Sequence, residues 1–263
     1  MLVFDKIVKK MLTKWWKILF KKDIFEIIDP EQKPEFQNKL DKVIYRLKSL
    51  WIIIPIKSGV YIIPSEEDKK LNKIDLIEKY YLKLLKKYIT YYVWSEYFIS
   101  GQKSLEFHLK NYEIPEKIFI INRNLNKKIK IWNYEIIFKT ISAKDKKNKK
   151  INFYNFLKKY LDKKNIENIE FKISCLELSL LESCLVWDTE NWIDFGLINK
   201  AIKKYHSILN KNIFYDIADY KYIMSVNRLK EISKNIDRDL YEVFLDIIKK
   251  NWWLFIGEWL RWF

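Results

Sequence analysis

Residues 36–64 read FQNKLDKVIYRLKSLWIIIPIKSGVYIIP, and this stretch decides the expected fold of the N-terminal region. In its first half apolar residues recur every three or four positions, as they do along the buried stripe of an amphipathic helix. These residues are Phe36, Leu40, Val43, Ile44, Leu47 and Leu50. The second half contains two β-branched runs, residues 52–56 and 60–63, joined by Lys57-Ser58-Gly59. The stretch therefore predicts a helix that leads directly into a β-hairpin.

Two further helical patterns precede this stretch, at residues 4–14 and 18–28. Asp29-Pro30 is expected to end the second helix, and Pro34 to open the third, because proline is tolerated in the first helical turn. Three helices followed by a hairpin is the element order of a winged helix-turn-helix. In that fold the third helix enters the major groove of DNA, and the hairpin lies along the phosphate backbone.

The polar side of the third helix and the tip of the hairpin carry residue types that contact DNA. Asn and Gln can read adenine and Arg can read guanine, whereas Lys and Ser suit phosphate. The expected DNA-binding residues are Lys33, Gln37, Asn38, Lys39, Lys42, Tyr45, Arg46, Lys57 and Ser58. Residues 1–64 hold 13 basic and 7 acidic residues, a net charge of +6 (13 − 7). A plain solvated helix side, or a module that binds protein, is the alternative interpretation.

Composition limits the class of protein further. The net charge of +16 favours polyanionic partners, although an AT-rich genome is an alternative cause of the lysine-rich composition. Two cysteines among 263 residues form no disulfide framework or zinc motif, so a reduced cytoplasmic location is expected. No apolar run is long enough to predict a transmembrane helix, and no signal peptide is expected. Phosphate loops, dinucleotide motifs and nucleophile elbows are missing from the sequence, so we expect no cofactor, no metal and no catalytic site.

The expected fold class is α+β. A polar connector at residues 65–73 separates the winged helix-turn-helix at 1–64 from a mixed α+β domain at 74–263, with a small antiparallel sheet and a helical C-terminal part. Strands are predicted at 117–121 and 169–173, and a hairpin at 128–141. Helices are predicted at 74–92, 101–109, 174–186, 196–208, 225–234 and 238–250. The run KDKKNKK at 144–150 is predicted to be a basic surface loop.

Tryptophan is abundant in this chain and glycine is scarce. There are 11 Trp and 4 Gly, whereas ordinary glycine usage predicts roughly 18. Trp51 follows a predicted helix where glycine often forms the cap, and Trp132-Asn133 occupies the centre of a predicted hairpin. Trp15-Trp16 and Trp252-Trp253 fall at breaks between helical patterns. One hypothesis is that many of these codons are UGA, read as glycine in the source organism; the alternative is a truly tryptophan-rich protein.

Four segments together resemble the AbiEi family of abortive-infection antitoxins. The segment SGVYIIP at 58–64 is similar to the end of the family's wing. The segment YFISGQKSLEFHLKNYEIPEKIFIINR is similar to a middle segment of the family, although Lys103-Ser104 departs from the small residues preferred there. SCLELSLLE at 174–182 and NRLK at 227–230 resemble two later elements. The resemblance implies a transcriptional autorepressor, and we predict that it binds its own promoter, at repeats occupied by two or more copies. It also implies an antitoxin of a type IV phage-defence pair, whose partner is a nucleotidyltransferase toxin that it counteracts without a stable complex.

Two other functions remain open from the sequence. Glu170-Phe171-Lys172 on a predicted strand, with Asp162 before it, has the E-x-K pattern of magnesium-dependent nucleases. The second alternative is a protein-interaction module whose winged helix does not bind DNA. Ser100 and Ser104 near His108 could suggest a hydrolase, but a helix start and a half-buried histidine explain them more simply. Cys175 and Cys184 are expected to be buried in packing.

Overall fold

The computed structural model of the chain shows a mixed α+β protein. It describes residues 2–13, 17–29, 37–144, 150–186, 192–218 and 222–251. Two compact units are present. The first extends to Tyr88 and includes Ile131–Asn133, and the second contains Ile89–Lys130 and the residues from Tyr134 onward. The α+β class predicted from the sequence is therefore correct.

The first unit begins with three helices and three short strands. In chain order these are α1 (Leu2–Leu12), β1 (Ile18–Phe20), α2 (Lys21–Ile28), α3 (Gln37–Ser49), β2 (Ile54–Lys57) and β3 (Val60–Ile62). The strands form an antiparallel sheet in the order β1-β3-β2, with Ile18 opposite Ile62. The prediction of a helix at 18–28 is wrong at its start, because residues 18–20 form strand β1, which pairs with β3. Pro34 lies outside the described residues.

One apolar core holds these elements together. The buried stripe of α3 meets residues of α1, α2 and the sheet, which include Met11, Ile24 and Tyr61. Ile53, directly before β2, is also buried in this core. Burial of one face on each helix is what the amphipathic pattern of the sequence requires.

Three helical segments follow the sheet: a 3₁₀ helix (Asp68–Lys70), α4 (Lys73–Lys79) and α5 (Tyr81–Val93). The helix expected at 74–92 is thus divided into two at Tyr80. Within the segment predicted as a linker, Asp68 is completely buried. Its carboxylate accepts hydrogen bonds from the Ser65 backbone N–H (2.7 Å), the Tyr80 hydroxyl (2.6 Å) and the Lys79 ammonium (2.6 Å).

A six-stranded mixed sheet lies in the second unit, except for Ile131 at the end of its edge strand, and it is larger than the expected small antiparallel sheet. Its strands are β4 (Tyr97–Ile99), β5 (Lys117–Asn122), β6 (Lys127–Ile131), β7 (Tyr134–Lys139), β10 (Leu161–Ile166) and β11 (Ile169–Ser174). The spatial order is β10-β11-β4-β5-β7-β6, and the β11–β4 and β5–β7 pairs are parallel. A separate two-stranded antiparallel sheet pairs β8 (Ser142–Lys144) with β9 (Lys150–Asn152). Residues 145–149 of the expected basic loop lie outside the described part.

Seven α-helices and one 3₁₀ helix (His206–Ile208) complete the described part of the second unit. The α-helices are α6 (Gly101–His108), α7 (Tyr154–Leu157), α8 (Leu176–Ser183), α9 (Phe195–Tyr205), α10 (Lys211–Ala218), α11 (Ile223–Ser233) and α12 (Arg238–Lys250). Their apolar side chains, such as Leu181, Phe214 and Phe244, form the core of this unit with residues of the sheet. In the described ranges, no helix is both long enough and apolar enough to cross a membrane.

Candidate nucleic-acid interface

Helix α3 buries one side and exposes the other, as its sequence pattern predicts. Leu40, Ile44 and Leu47 are buried at successive turns. The exposed side contains Lys39, Lys42, Tyr45 and Arg46, all of which are among the expected DNA-binding residues. Lys48 and Asp41 are exposed on the same helix. The structure therefore brings four of the expected residues together on the accessible side of one helix.

The remaining expected residues of this region divide into three groups. Gln37 and Asn38 lie in the first turn of α3, but the positions of their side chains are not described. Lys33 lies outside the described residues. Lys57 and Ser58 are both exposed in the turn between β2 and β3, where the sequence predicts the hairpin tip.

Arg46 is positioned by an aromatic ring from another helix. Its guanidinium carbon lies 4.3 Å from the centroid of the Phe4 ring on α1. A guanidinium in this position is attracted by the negative face of the ring, and its N–H groups at the edge of the plane remain able to donate hydrogen bonds. Phe4 therefore restricts the orientation of the one arginine on α3.

Lys21, the first residue of α2, contacts both the β2–β3 turn and helix α3. Its backbone N–H donates a 2.8 Å hydrogen bond to the carbonyl of Gly59, the glycine with positive φ (73°) in the hairpin turn. Its ammonium group lies 2.7 Å from the Asp41 carboxylate on α3. Because an unpaired Asp41 would repel phosphate, this ion pair reduces an unfavourable charge on the exposed side of α3. Sequence reasoning missed Lys21, Asp41 and Phe4, since only tertiary structure brings them together.

The side chains of this surface are of types that bind anions and hydrogen-bond acceptors. Lysine ammonium groups at Lys39, Lys42 and Lys57 provide positive charge, and Arg46 and Tyr45 provide directional hydrogen-bond donors. Such a combination suits a polyanion that also displays hydrogen-bond acceptors. Double-stranded DNA has both properties, because its phosphates are charged and its base edges carry acceptors in the major groove.

The carboxylates of the alternative nuclease site do not converge. Glu170 lies opposite Asn165 in the β10–β11 register, whereas Asp162 lies opposite Ile173. Since side chains alternate between the two sides of a strand pair, Asp162 and Glu170 point to opposite sides. The Lys172 ammonium donates to the Ser95 carbonyl at 2.6 Å, and Glu170 lies 3.2 Å from the Lys163 ammonium. Among the described residues, no group of three His, Cys, Asp or Glu side chains is arranged to hold a metal ion.

The serine and histidine residues of α6 are engaged in structural hydrogen bonds. The Ser104 hydroxyl lies 2.8 Å from the Ser179 hydroxyl, and His108 Nε2 lies 2.8 Å from the Ser174 carbonyl oxygen. Burial lowers the pKa of His108, against the opposing effect of its hydrogen bond to Ser174. Ser100 precedes α6 and is buried. This geometry supports the simpler interpretation of these residues, a helix start and a half-buried histidine.

Both cysteines are buried with free thiols, as the sequence predicts. Burial raises the pKa of the Cys184 thiol to about 12 and that of Cys175 further still. A thiol with a raised pKa is protonated at neutral pH and is a poor nucleophile. Neither cysteine is therefore suited to catalysis.

No protein-family model matches the chain, and a search of curated proteins finds no significant match.

Proposed function

We propose that residues 1–64 are a winged helix-turn-helix that binds double-stranded DNA through α3 and the β2–β3 turn. The observation that carries the proposal is the element order α1-β1-α2-α3-β2-β3 together with the sheet order β1-β3-β2. In this arrangement one helix with a polar exposed side is followed by a hairpin whose turn is also exposed. A helix that enters the major groove and a hairpin beside it is the docking geometry of helix-turn-helix proteins.

The individual side chains have distinct roles in this proposal. Lys39, Lys42 and Lys57 contact phosphates and supply most of the affinity, while Ser58 adds a hydrogen bond to the backbone. Arg46, oriented by Phe4, contacts a base edge, with guanine as its preferred partner. Tyr45 is exposed on the same side of α3 and contributes a hydroxyl donor. Gln37, Asn38 and Lys33 are included because of their residue types alone.

The biological role within the proposal is an autorepressor that also serves as an antitoxin. This part depends on the resemblance of four segments of the sequence to the AbiEi family. Its DNA partner is the protein's own promoter, and its functional partner is a nucleotidyltransferase toxin that it antagonises without a stable complex. Regulation of abortive infection, a form of phage defence, and a cytoplasmic location follow from the same proposal.

Binding of the protein to the DNA upstream of its own gene tests the first part. Fluorescence anisotropy should give a higher affinity for this fragment than for unrelated DNA of the same length. The logarithm of the binding constant should fall linearly with the logarithm of salt concentration, with a slope of about −0.9 for each phosphate contacted. Equal affinity for both fragments would contradict sequence-specific repression.

Co-expression tests the second part. The gene adjacent to this one should encode a nucleotidyltransferase that arrests growth when it is expressed alone, and the present protein should restore growth. Size-exclusion chromatography of the two purified proteins should show separate peaks if the antagonism needs no stable complex. Growth arrest that persists with the protein present would contradict the antitoxin role and leave the DNA-binding proposal unaffected.

A further inference from the structure

Three of the four tryptophans in the described residues have a left-handed backbone conformation. The φ angles are 56° at Trp51, 52° at Trp94 and 56° at Trp132. This conformation is uncommon for residues with a side chain and is unfavourable for bulky ones, because Cβ approaches the following carbonyl oxygen. Glycine has no Cβ and adopts it without this cost. Two glycines of this chain, Gly59 (73°) and Gly101 (67°), occupy the same region.

Trp51 occupies the glycine position of a Schellman motif at the end of α3. Its backbone N–H donates to the Lys48 carbonyl at 3.0 Å, and the Ile52 N–H donates to the Leu47 carbonyl at 3.0 Å. These are the two hydrogen bonds that define the motif, and the residue between helix and exit is glycine more often than any other type. Lys110 after α6 has the same pair of bonds with φ of 63°, and Glu167, Asn168 and Tyr222 also have positive φ, so a positive φ alone does not identify a glycine position in this chain.

Trp94 and Trp132 occupy two other positions that favour glycine. Trp94 is the first residue after the last helical residue of α5. Trp132 is the first of two residues joining β6 to β7, and its partner Asn133 does not share the positive φ. A two-residue hairpin turn with positive φ only at the first position is the type II′ pattern, in which that position is glycine.

The side chains of these tryptophans bury too little apolar surface to offset the unfavourable left-handed backbone conformation. Their exposed fractions are 59% for Trp51, 73% for Trp94 and 48% for Trp132. Tryptophan stabilises a fold mainly through the large apolar surface that it removes from water, and here at least about half of that surface remains in contact with water. Three exposed tryptophans at three glycine positions are therefore not explained by packing.

We propose that residues 51, 94 and 132 are glycine in the protein made by its source organism, where UGA codons at these positions are decoded as glycine. The assignment applies to these three positions only. Trp192 is not included, because its φ is not positive. The proposal also accounts for part of the scarcity of glycine in the sequence. It is independent of the proposed DNA binding.

Peptide mass spectrometry of the protein purified from its source tests the proposal directly. Peptides that span residues 51, 94 and 132 should each be lighter by the difference between a tryptophan and a glycine residue. Detection of tryptophan at any of these three positions would overturn the assignment at that position.

Substitutions in the protein that carries tryptophan at these positions test whether tryptophan strains the backbone there. Trp51→Gly, Trp94→Gly and Trp132→Gly should each raise the melting temperature by about 2 °C, because relief of strain exceeds the added flexibility of the unfolded chain. Trp51→Ala should recover little of this gain, since alanine keeps the Cβ. Trp192→Gly is the control and should give no increase. Equal effects at position 192 and at the other three would contradict the strain argument.

Discussion

The guanidinium of Arg46 on α3 lies over the ring of Phe4 on α1, with 4.3 Å between the guanidinium carbon and the ring centroid. This contact fixes the one arginine of α3 on the side of the helix that also exposes Lys42 and Tyr45. A restricted arginine loses less side-chain entropy when it binds than a mobile one does. If α3 binds DNA as proposed, the contact connects α1, which does not carry the candidate interface, to the affinity of that binding.

Replacement of Phe4 by leucine should weaken specific DNA binding without unfolding the protein. Leucine keeps an apolar side chain at this half-buried position but removes the ring that holds Arg46. The expected loss is about 0.5–1 kcal/mol, or roughly twofold to fivefold in affinity. Fluorescence anisotropy with the upstream DNA measures it.

A double-mutant cycle shows whether Phe4 acts through Arg46. Phe4→Leu should have almost no effect on affinity when Arg46→Ala is already present, because the ring then has no guanidinium to orient. Additive losses from the two substitutions would mean that Phe4 influences binding in another way.

Lys57→Ala at the hairpin turn should weaken binding to specific and unrelated DNA by a similar factor. A lysine that contacts phosphate supplies charge but no sequence information. The magnitude of the salt slope should decrease by about 0.9, which corresponds to one lost phosphate contact. A loss confined to the specific fragment would instead indicate that Lys57 reads a base.

Asp68→Asn should destabilise the protein at pH 7 by about 2–3 kcal/mol, because a buried carboxylate that accepts charge-assisted hydrogen bonds is replaced by a neutral amide. Asp162→Asn is the control: Asp162 is exposed on β10, and its substitution should change stability by less than about 0.5 kcal/mol. Urea unfolding measures both. Equal losses from the two substitutions would contradict the role assigned to Asp68.

The contribution of Asp68 should also depend on pH. Burial alone would raise the pKa of this carboxyl group, but hydrogen bonds from Lys79, Tyr80 and Ser65 outweigh burial and hold the pKa well below its usual range. A carboxyl group whose pKa is lowered in the folded state stabilises that state above its unfolded pKa of about 4, and the stabilisation is lost as pH falls below that value. The difference in stability between wild type and Asp68→Asn should therefore decrease between pH 5 and about pH 2. A constant difference would show that the hydrogen bonds do not depend on the charge.

Cys175 and Cys184 should not react with a thiol reagent such as DTNB while the protein is folded at pH 7.5. Both are buried, and burial raises the pKa of each thiol. Two thiols per chain should become reactive in denaturant. Rapid reaction of either thiol in the folded protein would contradict the burial of that residue.

The elements predicted correctly from the sequence are those with strong local signals. Helix α12 matches its predicted range at both ends, since Asp237 caps its beginning by accepting a hydrogen bond from the Leu240 N–H. The two hairpins β2–β3 and β6–β7 were predicted from β-branched runs on either side of a short turn. In each case the residues that decide the structure are neighbours in the sequence.

The elements that were missed depend on partners distant in the sequence. Strand β1 has only three residues, and its pairing with β3 cannot be read from its own pattern, which continues into α2. Strand β4 is similarly short, but it lies between β11 and β5 in the middle of the large sheet. Strand β10 is mostly polar and is joined to β11 by Glu167-Asn168, both with positive φ, which is an unusual pair for such a turn.

The same distinction applies to the candidate interface. Lys42, Tyr45 and Arg46 were predicted because the helical period alone separates the exposed side of α3 from its buried stripe. Lys21 and Phe4 could not be predicted, since their contacts with Asp41 and Arg46 cross from one helix to another.

The affinity of a Lys42→Glu, Arg46→Glu variant for the upstream DNA tests the central claim most directly. Lys70→Glu, Lys73→Glu is the matched control, because it makes the same change in charge at two exposed residues beyond the three-stranded sheet. With circular dichroism confirming that both variants are folded, the α3 variant should lose detectable specific binding, whereas the control should retain affinity within a fewfold of wild type. Unchanged affinity of the α3 variant, or an equal loss in both, would contradict the assignment of α3 as the DNA-binding helix.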